Sequence, residues 1–418
     1  MIVSVTGSSI SGRADAPPSK SFTHRAVVTA ALAYGTSTIV NPLMSDDTDA
    51  TIAVFKSIGV ETERKGSEWK VFGGELTAPK ADLFCNESGT TLRLATAVCS
   101  LVEGRCRITG APSLLKRPIG ELVGALKQLG AKCSCNGGFP PVVTENSFLG
   151  GTASLRGDVS SVFVSALLLI APLGKKEVVI NLSTRLESYP YVLMTLSSQK
   201  SFGVSVEASK DMRRFEIKSQ KYRASSYKVE GDWSSAAFLL AAAALSGRVK
   251  VANLNIQSSQ ADRSIIDILN AMGAYVKTEG DTVTVEKSAL KAINFDVSNC
   301  PDVFPALCVL CSAATGISRI TGTERLKIKE SDRITEMERG LTGMGIAFRR
   351  IGGAVEIKGG NAQGGIINSQ DHRIAMAFGV LGTAAKGRTI IRNAECVSKS
   401  FPDFWECMKK LNAEIETV

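Results

Sequence analysis

A series of short motifs sets hydroxyl, basic and acidic residues just ahead of apolar stretches of helical length. Ser19, Lys20, Ser21 and Arg25 follow Pro17 and Pro18 at one such stretch, and Glu87, Ser88, Gly89 and Arg93 begin another. Lys116 and Arg117 begin a third, with Pro118 expected at a first-turn position. Ser160 and Ser161 begin a fourth. Asp302, the run Lys329, Glu330, Ser331, Asp332 and Arg333, the triplet Asp371, His372 and Arg373, and the pair Lys399 and Ser400 open the others. Helix starts present free N–H groups and a positive dipole end, so they bind phosphate and carboxylate. Lysine and arginine added there make a site for several anionic groups together.

Each motif also has a plainer reading. Serine, threonine and aspartate before a helix are usual caps, and for Ser160, Ser161 and Ser331 capping alone is as good an account. Asp302 is open to the same reading, and Glu330 to merely neutralising Lys329 or Arg333; acid–base chemistry is the alternative for both. A basic residue at a helix start opposes the dipole. Lys20, Arg117, Lys329 and Lys399 all break that rule, which points to function. His24 and His372 read as structural or supporting residues.

These motifs need elements to hold them. A glycine after a bulky apolar residue recurs at Gly59, Gly130, Gly203, Gly273 and Gly345, with Asn412 in the sixth place. The spacing is about seventy residues, so one supersecondary unit is used repeatedly. The helical stretches around 164–173, 234–247 and 304–314 are apolar almost all round and must be buried. Segments 204–218, 275–286 and 346–358 instead alternate as hairpins with one wet face. Sheets outside and helices inside invert the doubly wound arrangement. The repeats divide into two groups of three, meeting near 227–232, and the N-terminal strand is open to either half.

The chain has 418 residues and a net charge of +9, but no Lys/Arg run and only 6% aromatic residues. That argues against nucleic acid and for a small polyanionic ligand. The longest apolar stretches are too short to span a bilayer, and no basic-then-apolar signal segment opens the sequence, so a cytoplasmic protein is expected. The ten cysteines are scattered. Cys133 with Cys135, or Cys308 with Cys311, could each be half a zinc site, but two histidines and no second pair favour buried thiols and no metal.

In this order the motifs resemble the 5-enolpyruvylshikimate-3-phosphate synthase family. The matching strings are P-S-K-S-F-T-H-R (18–25), S-G-T-T-L-R (88–93), K-R-P-I-G (116–120), S-S-V-F-V-S-A-L-L (160–168), C-P-D-V-F-P-A-L (300–307), L-K-I-K-E-S-D-R-I (326–334), D-H-R-I-A-M-A (371–377) and K-S-F-P-D-F (399–404). The resemblance implies an α/β fold of two inside-out domains, each of three repeats with buried helices and outer mixed sheets. Residues 1–17 with 230–418 would form one domain and 18–229 the other, with the active site in the cleft between them. It implies transfer of the enolpyruvyl group of phosphoenolpyruvate to the 5-hydroxyl of shikimate 3-phosphate, in the shikimate pathway, with phosphate released.

By the same resemblance, shikimate 3-phosphate falls to Lys20, Ser21, Arg25, Ser160, Ser161, Ser188, Asp302 and Lys329, with Tyr191 packing on its ring. Phosphoenolpyruvate falls to Lys20, Gly89, Arg117, Arg333, Arg373 and Lys399. Asp302 would accept the hydroxyl proton, and Glu330 with Lys20 would protonate the methylene carbon. No cofactor or metal is implied. The partners are the two small-molecule substrates, without nucleic acid or membrane, the protein is a monomer, and glyphosate is an inhibitor. The chain departs from the family pattern at Glu87, Val162 and Arg325. A uridine-diphosphate-N-acetylglucosamine carboxyvinyltransferase would need a cysteine that the stretch 108–117 lacks, and an RNA 3'-phosphate cyclase would need a nucleophilic histidine.

Overall fold

Six helix ends share one termination device, and it sets the fold's period. At each the chain leaves the helix through a left-handed residue, with φ of 94° at Gly59, 90° at Gly130, 81° at Gly203, 82° at Gly273, 84° at Gly345 and 67° at Asn412. The next amide then reaches back to a carbonyl five residues earlier, as in Val60 N–H to Phe55 O at 3.0 Å and Ala413 N–H to Met408 O at 3.0 Å. This is the Schellman cap, which needs a residue that tolerates positive φ, hence glycine or asparagine. A strand follows at once, so the recurrent glycine marks the helix-to-hairpin corner of every repeat.

The computed structural model describes residues 1–418. Its helices are α1 (Lys20–Leu32), α2 (Asp46–Ser57), α3 (Gly89–Val98), α4 (Gly120–Gln128), α5 (Ser161–Ile170), α6 (Tyr189–Ser201), α7 (Trp233–Ser246), α8 (Ile265–Ala271), α9 (Phe304–Ala313), α10 (Arg333–Gly343), α11 (His372–Gly382) and α12 (Phe404–Lys410). Six four-stranded sheets accompany them. In the sheet Asn294–Asp296, Ile317–Thr321, Ala354–Lys358, Ala347–Ile351, the first pair is parallel and the other two are antiparallel. The remaining five sheets repeat that pattern.

The chain resolves into two compact units, Met1–Pro17 with Glu230–Val418, and Pro18–Val229. Each has its own hydrophobic core. The N-terminal strands lie in the first unit: Ile2–Thr6 pairs with Arg388–Arg392 and Glu414–Thr417, and Ile10–Asp15 pairs with Gly247–Ala252. The inside-out reading holds. Every residue of α7 and α11 is buried, as is α9 up to Ser312. Strands such as Glu61–Lys65 and Ala347–Ile351 are exposed along most of their length. No helix is long and apolar enough to cross a membrane.

In the first unit α7, α9 and α11 pack against one another. Asp232 and Asp371 stand at the caps of α7 and α11, and Asp302 stands just ahead of α9.

Candidate functional site

Asp302 lies just before Val303, which is the residue that caps α9, so it is not itself the cap. Its carboxylate serves three cations instead. Oδ1 accepts from Arg333 Nη1 at 2.7 Å and from Lys329 Nζ at 3.3 Å, and Oδ2 accepts from Arg373 Nη2 at 3.3 Å. Arg333 is 1% exposed and spends its guanidinium on carboxylates: Nε on Asp371 at 2.9 Å, Nη1 on Asp302, and Nη2 on Glu330 at 2.8 Å. Asp371 also caps α11 through the Arg373 amide at 2.9 Å and accepts from Ser331 Oγ at 3.1 Å. Ser331 is therefore tied to Asp371, while Asp332 caps α10.

The electrostatics follow from this crowding. Burial by itself would raise the Asp302 carboxyl, but Arg373, Lys329 and Arg333 outweigh it and hold the group well below the usual carboxylate range. Burial lowers the Lys329 ammonium to about 8, against the pull of Asp302. Burial would lower the Arg333 guanidinium too, yet Asp371, Glu330 and Asp302 push it the other way.

In the second unit Lys20 is the first residue of α1, and its ammonium stands 2.9 Å from Asp47 Oδ2. Asp47, 5% exposed in the first turn of α2, offsets a lysine that would otherwise face an uncompensated helix dipole. Behind them runs a buried polar chain: His24 Nδ1 to Thr51 Oγ1 at 2.7 Å, Thr51 Oγ1 to Thr91 Oγ1 at 2.6 Å, and Thr91 Oγ1 to Ser88 Oγ at 2.7 Å. It joins the N-terminal halves of α1, α2 and α3. Burial drives His24 down to about 3, so the imidazole is neutral, in keeping with a structural histidine.

Arg25 is 1% exposed. Its guanidinium donates to Thr195 Oγ1 at 2.8 Å, Ser165 Oγ at 3.4 Å and the carbonyls of Ser21 and Tyr191 at 2.8 and 2.9 Å. Burial lowers it to about 10, still charged at neutral pH. Ser188 occupies the cap position of α6 without a side-chain cap bond, in the left-handed conformation, φ 53°, at a strain of about 1–3 kcal/mol that sequence does not reveal. Ser160 stands at the cap position of α5 but makes no side-chain cap bond, so capping alone does not explain it. Gly89 opens α3, and a Cβ there would fall on the Arg117 guanidinium and crowd Arg93. The missing side chain makes room for these two guanidinium groups.

Two expectations change. Pro118 precedes the α4 cap, Ile119, and is not in the first turn. Of the four basic residues expected at helix starts only Lys20 lies in one. Arg117 and Lys329 follow the 3-10 turns Leu114–Lys116 and Glu324–Ile328, and Lys399 ends the turn Ala394–Lys399. These three sit at the negative ends of short turns and do not oppose a dipole. Of the departures, Glu87 accepts from Ser113 Oγ at 2.8 Å, Val162 packs against the core, and Arg325 lies within the 3-10 turn before Lys329.

The structure thus gathers Asp302, Lys329, Glu330, Arg333 and Arg373 in one unit, and in the other pairs Gly89 with Arg117 and Lys20 with Asp47. Lys399, 6% exposed, is buried at the end of the turn Ala394–Lys399. Sequence reasoning missed two counter-ions. Asp47 sits in the run S-D-D-T-D (45–49), which looks like an ordinary acidic first turn. Asp371 was visible as part of D-H-R, but nothing showed that Arg333 would reach it.

A family model described as EPSP synthase (3-phosphoshikimate 1-carboxyvinyltransferase) matches residues 5–408. The chain is 41% identical over 421 residues to the 3-phosphoshikimate 1-carboxyvinyltransferase of Methanocorpusculum labreanum, covering 98% of each chain. It is 40% identical over 407 residues to the enzyme of that name from Dehalococcoides mccartyi, covering 97% of this chain and 96% of the relative. Among solved structures it is similar to EPSP synthase from Acinetobacter baumannii, with a TM-score of 0.82, 29% identity and full coverage of both chains. The enolpyruvyl transferase NikO from Streptomyces tendae has the same fold, with a TM-score of 0.82 at 19% identity over 99% of this chain and 98% of that one.

Proposed function

Because the chain belongs to the EPSP synthase family, it is a 3-phosphoshikimate 1-carboxyvinyltransferase of the shikimate pathway, and we infer how its residues carry out the transfer. The observation that carries the inference is Asp302 held among Lys329, Arg333 and Arg373 with Glu330 beside them. We read the two units as the domains 1–17 with 230–418 and 18–229, and their charged sets as two halves of one site. Shikimate 3-phosphate takes Lys20, Ser21, Arg25, Ser160, Ser161, Ser188 and Lys329. Phosphoenolpyruvate takes Lys20, Gly89, Arg117, Arg373 and Lys399, with Arg333 behind them.

Unliganded, Asp302 is a weak base because three cations hold its charge. Substrate phosphate and carboxylate arriving at Lys329 and Arg373 offset those cations and raise its proton affinity, so binding itself arms the base. Asp302 then takes the 5-hydroxyl proton as that oxygen attacks C2 of phosphoenolpyruvate. Glu330, with Lys20, delivers a proton to C3. The resulting tetrahedral adduct loses phosphate and a C3 proton to restore the double bond, and the cations stabilise the charge that develops. In this reading the protein acts as a cytoplasmic monomer on two small molecules, and glyphosate competes at the Gly89 side.

In D2O, addition followed by elimination must place deuterium on the vinyl methylene of the product, because C3 becomes a methyl group in between. Deuterium there, read by mass spectrometry and NMR, is the expected result. A deuterium-free methylene would mean that C3 is never protonated.

Lys329 gives a pH signature. It is cationic below about 8 and neutral above. Its hold on an anion should therefore weaken as pH rises, and the KM for shikimate 3-phosphate should climb between pH 7 and pH 9. Lys329→Arg keeps its charge throughout this range and should flatten that climb. An equal climb in both proteins would assign it to another group.

A further inference from the structure

Four buried side chains behind Lys20 take no part in the mechanism above: His24, Thr51, Thr91 and Ser88. Lys20 and His24 lie one turn apart on one face of α1, and Asp47 and Thr51 lie one turn apart on one face of α2. The two faces are joined at both levels, by Lys20 Nζ to Asp47 Oδ2 at 2.9 Å and by His24 Nδ1 with Thr51 Oγ1 at 2.7 Å. Thr91 brings in α3: its hydroxyl meets Thr51 Oγ1 at 2.6 Å and lies 3.3 Å from the Asp47 carbonyl. It also closes onto Ser88, the cap of α3, through its hydroxyl at 2.7 Å and its amide at 3.3 Å. Gly89 is the next residue. Each hydroxyl has one proton to give, which fixes the direction of the chain. Thr91 donates to Ser88, so Thr51 donates to Thr91, and His24 donates from Nδ1 to Thr51. Nε2 is then the bare nitrogen, and it is the one without a hydrogen-bond partner. The opposite tautomer would bury an unpaired N–H, which is costly. Capping α3 needs only the Ser88 bonds, so it does not account for the links on to α2 and α1.

We propose that His24, Thr51 and Thr91 are positioning residues for the transfer: their hydrogen-bonded chain holds the Lys20–Asp47 pair in register with the Ser88–Gly89 turn, and so sets the spacing of the phosphoenolpyruvate subsite. The proposal rests on the reading that Lys20 and Gly89 hold phosphoenolpyruvate. Shikimate 3-phosphate depends less on this register, because Arg25, Ser160, Ser161 and Ser188 take no part in the chain.

The test is KM for phosphoenolpyruvate, calorimetric binding of shikimate 3-phosphate and melting temperature, for wild type, Thr51→Val, Thr51→Ser and Lys20→Met. Thr51→Val removes the hydroxyl at nearly constant size. It should raise the phosphoenolpyruvate KM about ten- to a hundredfold while shikimate 3-phosphate binds within about threefold of wild type. Thr51→Ser restores the hydroxyl and should recover most of that KM. Wild type gives a second readout, which stands even if Thr51→Val does not fold. The chain has only two histidines, so nitrogen-15 labelling of histidine shows two imidazoles, and His24 should be neutral and protonated at Nδ1. Thr51→Val should move that signal and leave the His372 signal in place, which assigns it. An unchanged phosphoenolpyruvate KM in Thr51→Val, equal losses for both substrates, a raised KM that Thr51→Ser does not recover, or a wild-type His24 protonated at Nε2 would each overturn the proposal. Failure of the underlying reading would show separately, as a Lys20→Met enzyme with an unchanged phosphoenolpyruvate KM.

Discussion

Asp302→Asn is expected to lower kcat by about 10²- to 10⁴-fold while shikimate 3-phosphate still binds within a few-fold of wild type. The two side chains are the same size, and the amide oxygen can still accept from Arg333 or Lys329. What asparagine cannot do is take a proton. Removing a negative charge from among three cations favours an anionic ligand, so binding should not suffer. A capping account would predict little change, since asparagine caps nearly as well, but Val303 occupies the cap position. Pre-steady-state mixing with both substrates, alongside calorimetric binding of shikimate 3-phosphate, separates the two quantities. Turnover within about threefold of wild type would remove Asp302 as the base and leave Glu330 and Lys20.

Arg333→Ala should cost more in stability than in any single binding step. Its guanidinium is 1% exposed and joined to Asp371, Asp302 and Glu330. Taking away one partner of a buried ion pair costs about 3–5 kcal/mol because the other charge is stranded. For a domain of this size that corresponds to a fall in melting temperature of about 10 °C or more. The Asp371 side chain, 0% exposed, suffers most. Arg333→Met combined with Asp371→Asn should recover part of the loss, since the core then holds fewer orphaned charges. A melting temperature within a degree or two of wild type would show that Arg333 is free to spend itself on substrate.

The periodic features were the legible ones. A Schellman corner requires positive φ, so glycine or asparagine had to recur where each helix turns into a hairpin. Helices without a polar face, such as α7, had to be interior. The composition of the candidate site was legible too, because lysine and arginine beside hydroxyls leave a local signature. Its wiring was not. Asp47 and Lys20 lie on different helices, as do Arg333 and Asp371, and no spacing along the chain encodes a contact made by packing two helix ends together. The short 3-10 turns are hidden for another reason: Arg117, Lys329 and Lys399 each precede a longer helix, and periodicity cannot separate a 3-10 turn from the helix that follows it.

The most direct test of the account is phosphate release with phosphoenolpyruvate and shikimate 3-phosphate, each alone and then together, with and without EDTA. Substrate anions from both molecules are needed to offset the cations around Asp302 and arm it. Phosphate should therefore appear only with both substrates present, in equal amount to the carboxyvinyl product, and at the same rate in EDTA. Phosphate from phosphoenolpyruvate alone, or a rate abolished by EDTA, would contradict the account.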